Sequence, residues 1–159
     1  MNFNIGDQVM HCTHGLGQVI RLEERALAGP LTMYYAVQVR DMTIWVPADD
    51  NLESRLRYPT PAAEFQRLFK ILSGPGKPLP IDRQERKLHL LKLLKDGRAE
   101  SLCRVIRDLV EFRRNKQLND NDQVLLKRVQ SALLGEWELV LSVSPAQAED
   151  ELHRLLTSA

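Results

Sequence analysis

The spacing of apolar residues changes once along the chain, at Tyr58-Pro59-Thr60-Pro61. Before this segment, apolar and polar residues alternate in short runs rich in β-branched and aromatic side chains, a pattern typical of half-buried antiparallel strands. After it, apolar residues recur every three or four positions, as in amphipathic helices. The two periods predict an α+β protein in which residues 1–57 form strands and residues 58–159 form an all-α domain.

The predicted strands of the first domain are short and are separated by turn residues. His14-Gly15-x-Gly17 suits a tight turn or a bulge, because glycine accepts a positive φ without a Cβ clash. Residues 25–30 break the alternation and predict an exposed hairpin connection. Strands of this length are stable only when they curl around a core, so we expect a small antiparallel Tudor/SH3-like β-barrel. The predicted strands cover residues 7–11, 17–22, 32–40 and 43–46.

Five helices are predicted in the second domain. Thr60 is a candidate N-cap with Pro61 at the first helical position, and Asn119 is a candidate cap for the fourth helix. Ser144-Pro145-Ala146-Gln147 has the pattern of a capping box that opens the last helix. The second helix, at about 82–95, carries its apolar residues at Leu88, Leu91 and Leu94.

Composition excludes several classes of protein. The chain has no run of about 18 apolar residues, as a membrane-spanning helix requires. The first residues lack a basic segment followed by an apolar one, so a secretory signal is not expected. Two cysteines, Cys12 and Cys103, do not form the framework of a disulfide-rich protein. We therefore expect a cytoplasmic protein without contact to a membrane.

Charge is unevenly distributed. Residues 58–116 contain 14 basic and 7 acidic side chains, whereas the flanking segments 1–57 and 117–159 are net acidic. The middle segment is thus suited to a polyanion, although a solvated helix surface with internal ion pairs would have the same composition. Within it, Arg83, Arg86 and Lys87 are spaced so that they predict one positively charged helical face. This face lies at a helix N-terminus, where backbone N–H groups can also hold a phosphate.

The residues that could support chemistry are few. His11-Cys12-Thr13-His14 is the one cluster of soft metal ligands, and a structural zinc site usually needs a second pair. Cys12 has no recognisable partner that would activate it as a nucleophile, and no phosphate-binding or dinucleotide-binding motif is present. The sequence therefore predicts a non-enzymatic protein without a metal, a cofactor or a small-molecule substrate.

Trp45, in the last predicted strand, has two interpretations. Tryptophan is among the residues most often found at interface hot spots, so Trp45 is a candidate contact residue. A tryptophan in a strand is more commonly part of the core. Residue type alone leaves both alternatives open.

Several short strings resemble the CarD/CdnL family of bacterial transcription regulators, whose N-terminal module is shared with transcription-repair coupling factors. In the helical part the likeness continues at Val105-Ile106-Arg107-Asp108-Leu109 and Leu134-Gly135-Glu136. It covers essentially the whole chain. The strings in the strand region are Ile5-Gly6-Asp7-x-Val9, His14-Gly15-x-Gly17-x-Val19, Tyr34-Tyr35 and Val46-Pro47-Ala48.

The resemblance implies a division of labour between the two domains. In this family the Tudor-like domain binds the β subunit of bacterial RNA polymerase. The helical domain contacts promoter DNA at the upstream edge of the transcription bubble and stabilises the open complex. By resemblance, Arg25 and Leu27 match the polymerase-contacting hairpin loop. Trp45 falls where the family often has another contacting residue, commonly basic, and Lys87 matches a basic position on the DNA side.

One position departs from the family pattern. Members with characterised DNA contacts insert a tryptophan into the minor groove at the start of the second helix, and this sequence has Asp82 there. Either the wedge is absent, or Leu79 or Ile81 supplies a weaker one. The two leading hypotheses are a regulator that binds both polymerase and DNA, and a polymerase-binding adaptor without wedge activity. A metal-dependent or thiol-dependent sensor at His11-Cys12-His14 is a third.

Overall fold

A computed structural model describes residues 2–27 and 29–158 of the chain. It divides into two compact units, one ending at Pro59 and the other beginning at Thr60. The sequence analysis predicted the boundary between residues 57 and 58. In the described ranges no helix has both the length and the apolar character that crossing a membrane would require.

The first unit, the sheet unit, is a five-stranded antiparallel sheet with one short helix. The elements are β1 Gln8–His11, β2 Gly15–Arg25, β3 Thr32–Val39, β4 Met42–Pro47, α1 Leu52–Arg55 and β5 Leu56–Arg57. The strand order is β4-β3-β2-β1-β5, so β4 and β5 occupy the two edges. This arrangement, followed by helices, confirms the predicted fold class, while α1 and β5 were not predicted. Ala28 of the predicted hairpin connection lies outside the described residues.

The hydrophobic core of this unit lies on one face of the sheet. Gly17 of β2 is paired with Val9 of β1 in the antiparallel ladder. A Cβ atom at Gly17 would lie 2.7 Å from Cγ1 of Val37, which is too close for any side chain. Gly15 instead has a φ of +80°, as the turn before β2 requires. The core residues are Phe3, Val9, Val19, Tyr35, Val37, Val39, Val46, Leu52 and Leu56.

The second unit, the helical unit, contains the predicted five helices, with a 3-10 turn at Ala62–Glu64 before the first of them. The helices are α2 Phe65–Ser73, α3 Arg83–Leu94, α4 Ala99–Asn115, α5 Asp120–Leu141 and α6 Pro145–Thr157. Of these, α4 is the central one, because α2, α3 and α5 all contact it. Its inner side is fully buried at Val105, Ile106 and Leu109.

Two of the three predicted helix caps are confirmed. The side chain of Asn119 accepts a hydrogen bond from the backbone N–H of Asp122, and both form a capping box at the start of α5. Ser144 and Gln147 form the same motif at the start of α6. Each cap satisfies backbone donors that the first helical turn leaves unpaired.

The predicted N-cap at Thr60 is wrong. The 3-10 turn separates Thr60 from α2, which begins at Phe65. The backbone N–H of Thr60 instead donates to Oε2 of Glu136, at 2.7 Å, and Glu136 is fully buried on α5. Thr60 therefore has a tertiary partner, which a local capping pattern does not reveal.

The apolar face predicted for α3 is also largely wrong. Leu90 and Arg86 are the buried residues of this helix, whereas Leu88 is 66% exposed and Leu91 is 43% exposed. Leu94 is partly buried against the core. Because α3 packs mainly against α4, only a narrow strip of its surface is covered. Leu93 is partly buried like Leu94, whereas Leu88 and Leu91 face solvent.

Candidate functional site

Three charged residues of β2 lie on the face of the sheet opposite the hydrophobic core. Arg21, Glu23 and Arg25 occupy every second position, and alternate residues of a strand share one face. Across the ladder, Arg21 is paired with Ala36, and Ala36 is paired with Trp45 of β4. The small side chain of Ala36 leaves room for the longer side chains on either side. We refer to Arg21, Glu23, Arg25 and Trp45 as the Arg–Trp face.

The guanidinium groups of this face are held against Trp45. The Cζ atom of Arg25 lies 4.1 Å from the centroid of the Trp45 ring, and that of Arg21 lies 5.4 Å away. At exposed sites such cation–π contacts contribute about 0.5–1 kcal/mol each. Glu23 pairs with both arginines, at 3.0 Å to Arg25 and 3.3 Å to Arg21. Both cations are thereby held in place over the ring.

Trp45 is not part of the hydrophobic core of the sheet unit, which is the commoner place for a tryptophan in a strand. Its neighbours Ile44 and Val46 contribute to the core, so Trp45 points to the other face, where it is half-buried beneath the arginines. The structure thus brings two predicted site residues together, Arg25 and Trp45. Leu27 lies just beyond β2 and is 51% exposed. Arg21 and Glu23 were not among the site residues predicted from the sequence. Their alternate spacing with Arg25 nevertheless indicates that the three charged side chains share one face of a strand.

The start of α3 is built around Asp82. This residue is the N-cap, and its carboxylate accepts a hydrogen bond from the backbone N–H of Glu85, at 3.0 Å. The acid is therefore explained by the helix start that it stabilises. Immediately before it, Ile81 is 71% exposed, and Arg83 and Lys87 are exposed after it. Leu79, the other candidate wedge, is buried.

The prediction that Arg86 shares an exposed basic face with Arg83 and Lys87 is wrong. Only 3% of Arg86 is exposed, because this residue faces the core. Successive helical residues are rotated by about 100°, so Arg86 and Lys87 fall on opposite sides of the boundary between buried and exposed surface. The charged face at this helix start therefore has two of its three predicted members.

All three nitrogen atoms of the Arg86 guanidinium form hydrogen bonds inside the protein. Its Nε atom lies 3.1 Å from both carboxylate oxygens of Asp122, and Nη2 lies 2.8 Å from Oδ2. Its Nη1 atom donates to the carbonyl oxygens of Pro80 and Ile81, at 3.2 and 3.0 Å. The guanidinium carbon lies 4.7 Å from the ring centroid of Phe112. The group is buried and bonded to the protein, so it does not form part of an exposed basic face.

Two concavities border the exposed start of α3. One, of about 500 Å³, contains Ile81 and Arg83 together with Lys116 from the end of α4. The other, of about 510 Å³, lies between α3 and α5 and contains Arg83, Lys87 and Arg128. Arg83 belongs to both, so basic side chains border the two concavities.

His11 forms hydrogen bonds within the first turn. The Nδ1 atom of His11 accepts hydrogen bonds from the backbone N–H groups of Thr13 and His14, at 3.1 and 3.2 Å. Burial and the neighbouring His14 lower the pKa of His11 to about 4, so its ring is neutral at pH 7. Within residues 2–27 and 29–158, no three His, Cys, Asp or Glu side chains come together where they could hold a metal ion.

Cys103 is the second cysteine, and it lies in the core of the helical unit. Burial and the nearby carboxylates raise the pKa of its thiol to about 12, so the thiol stays protonated at neutral pH. A buried and protonated thiol is a packing group rather than a nucleophile.

Replacement of Arg86 tests its buried position. Arg86→Ala is expected to lower the free energy of unfolding of the helical unit by about 3–5 kcal/mol, because the Asp122 carboxylate is left buried without a partner. The matched control, Arg83→Ala, is expected to change it by about 0.5 kcal/mol or less, as is usual at an exposed site. Urea unfolding followed by far-UV circular dichroism measures both. Equal stability of the two variants would contradict the assignment.

Comparisons with known proteins cover both units. A family model described as "CarD-like/TRCF RID domain" matches residues 3–58, and one described as "CarD, C-terminal domain" matches residues 67–153. The chain is also similar to a Bacillus subtilis (strain 168) protein named "Putative transcription factor YdeB". The two are 26% identical over 148 residues, which cover 91% of this chain and 96% of the relative. The two domain matches follow one another in the order of the two units, and the chain therefore belongs to the CarD family of transcription factors.

Proposed function

We propose that the sheet unit binds the β subunit of RNA polymerase through the Arg–Trp face and the adjoining Leu27. The observation that carries this proposal is the stacking of Arg25 on Trp45, at 4.1 Å, on the solvent side of the sheet. Aromatic and arginine side chains are the usual anchors of protein interfaces. Here both are already ordered, so binding costs less side-chain entropy than it would for mobile side chains.

The pairing with Glu23 favours the same assignment. Because Glu23 occupies parts of both guanidinium groups, the two arginines present their remaining donors in fixed directions rather than as mobile charges. Arginine is suited to this task, since its planar group can stack on a ring and still donate at its edge. Where the family commonly has a basic residue, this chain has Trp45. The two arginines beside Trp45 thus supply the positive charge that the tryptophan lacks.

For the helical unit, the proposed partner is promoter DNA at the upstream edge of the bubble. The exposed cations Arg83 and Lys87 would contact phosphates, which position a protein on DNA without reading its sequence. Ile81 is the apolar side chain that emerges beside them, and it is 71% exposed. Apolar side chains of this kind are inserted between base steps by proteins that bend or open DNA. Ile81 would act as a smaller wedge than tryptophan.

The polymerase contact is tested by a charge reversal at Arg25. Arg25→Glu is expected to weaken binding to the purified β lobe by about tenfold or more, or about 1.4 kcal/mol, because it removes the stacked cation and repels Glu23. Trp45→Ala should weaken binding similarly without a change of charge. Biolayer interferometry with the full chain measures both.

The matched control for this experiment is Arg40→Glu. Arg40 is exposed and lies in the turn between β3 and β4, at the other end of β3 from Leu27. The same charge change there is expected to alter the affinity by less than about twofold. Wild-type affinity of both Arg25→Glu and Trp45→Ala would contradict the proposal.

The DNA contact is tested at Ile81, and the result separates the regulator from the adaptor. Ile81→Asp is expected to shorten the lifetime of the open promoter complex by about fivefold, or about 1 kcal/mol, with unchanged affinity for the β lobe. Leu88→Asp is the matched control, since Leu88 is a similarly exposed apolar residue on α3, and should leave the lifetime unchanged. If Ile81→Asp has the wild-type lifetime, the adaptor without wedge activity is favoured.

A further inference from the structure

The concavity between α3 and the first turns of α5 has apolar residues and a third cation that the phosphate contacts proposed for Arg83 and Lys87 do not explain. It measures about 510 Å³ and has an apolar floor that includes Leu91, Val124 and Leu125. Three cations border it, Arg83 and Lys87 on α3 and Arg128 on α5. We call this surface the α3–α5 groove.

The apolar side chains of the groove are unusually accessible. Leu91 is 43% exposed and Val124 is 68% exposed. Apolar surface that is grouped in a concavity and bordered by polar residues is typical of protein-binding sites. A phosphate backbone gains nothing from such a floor, so the groove differs from the helix start at Ile81 in what it can bind.

The groove is net positive, because three cations and one exposed acid border it. In the described part of the chain, none of its three cations forms a salt bridge. Asp122 also borders the groove, but its carboxylate is paired with Arg86 and is buried. Asp120 is the remaining acid, and it is exposed. An acidic partner is therefore complementary to this surface.

We propose that the α3–α5 groove binds an amphipathic protein helix with leucine-like residues on one face and Asp or Glu along its flanks. In this mode the apolar residues of the bound helix cover Leu91 and Val124, and its acids meet Lys87 and Arg128. The inference goes beyond the polymerase contact of the sheet unit. It also does not require Ile81.

A designed peptide tests the proposal directly. The probe is a fluorescein-labelled peptide of about 14 residues, or four helical turns, with Leu at positions i, i+3, i+4 and i+7 and Glu on both flanks. Its binding to the full chain is measured by fluorescence anisotropy. A scrambled peptide of the same composition has the same charge but no apolar face, and it is expected to bind at least about fivefold more weakly.

Variants of the groove locate the binding site. Val124→Glu and Arg128→Glu are expected to weaken binding of the probe by about fivefold or more, because one adds an acid to the floor and the other removes a cation from the rim. Lys127→Glu is the matched control, since Lys127 is the exposed neighbour of Arg128 on α5 and does not border the groove. It should change binding by less than about twofold.

Three outcomes of the peptide experiment would overturn the proposal. They are equal binding of the scrambled peptide, equal loss with Lys127→Glu, and no binding of the probe at concentrations up to about 1 mM. A short DNA duplex is tested in parallel. If Arg128→Glu reduces binding of the duplex but not of the probe, the groove holds phosphates. Binding of the polymerase β lobe is expected to be unchanged in all groove variants, so failure here leaves the Arg–Trp face untouched.

Discussion

The buried ion pair between Arg86 and Asp122 is the interaction on which the exposed surface of the helical unit depends. Its charges are almost fully removed from water, so each requires the other. The same guanidinium holds the carbonyl oxygens of Pro80 and Ile81, and Asp122 belongs to the capping box of α5. One side chain thus sets where α3 begins relative to α5. The exposed Ile81 and the α3–α5 groove both lie beside this connection.

The sheet unit uses charge in a different way. Its arginines remain at the surface, where Glu23 and the Trp45 ring hold them without full burial. A salt bridge at the surface adds little to the free energy of unfolding. Its main effect here is to orient the remaining N–H donors of the two arginines. The two units therefore place arginine in opposite roles. Arg86 is buried and stabilises the fold, whereas Arg25 is held in place and is still accessible to a partner.

The sequence predicted features whose cause is local and missed those whose cause is tertiary. Asn119 and Ser144 were identified as caps because a capping box is complete within four residues. Thr60 matched a local pattern equally well, but its N–H bonds to Glu136, which lies 76 positions away in the chain. Arg86 was assigned to the surface for the same reason, since nothing in its neighbourhood indicates Asp122. The family resemblance named both Arg25 and Trp45 as candidate polymerase contacts. That the two side chains stack on each other is seen only in the three-dimensional structure.

The most direct test of the central claim is amide hydrogen exchange of the full chain with and without the purified polymerase β lobe. β4 is an edge strand, so its outward N–H groups lack sheet partners and exchange readily in the isolated chain. We expect the β lobe to slow exchange at residues 21–27 and 42–47, which carry the Arg–Trp face and Leu27. Exchange in β1 and β5, at the far edge, should not change. Slowed exchange at that far edge, with none at residues 42–47, would contradict the account.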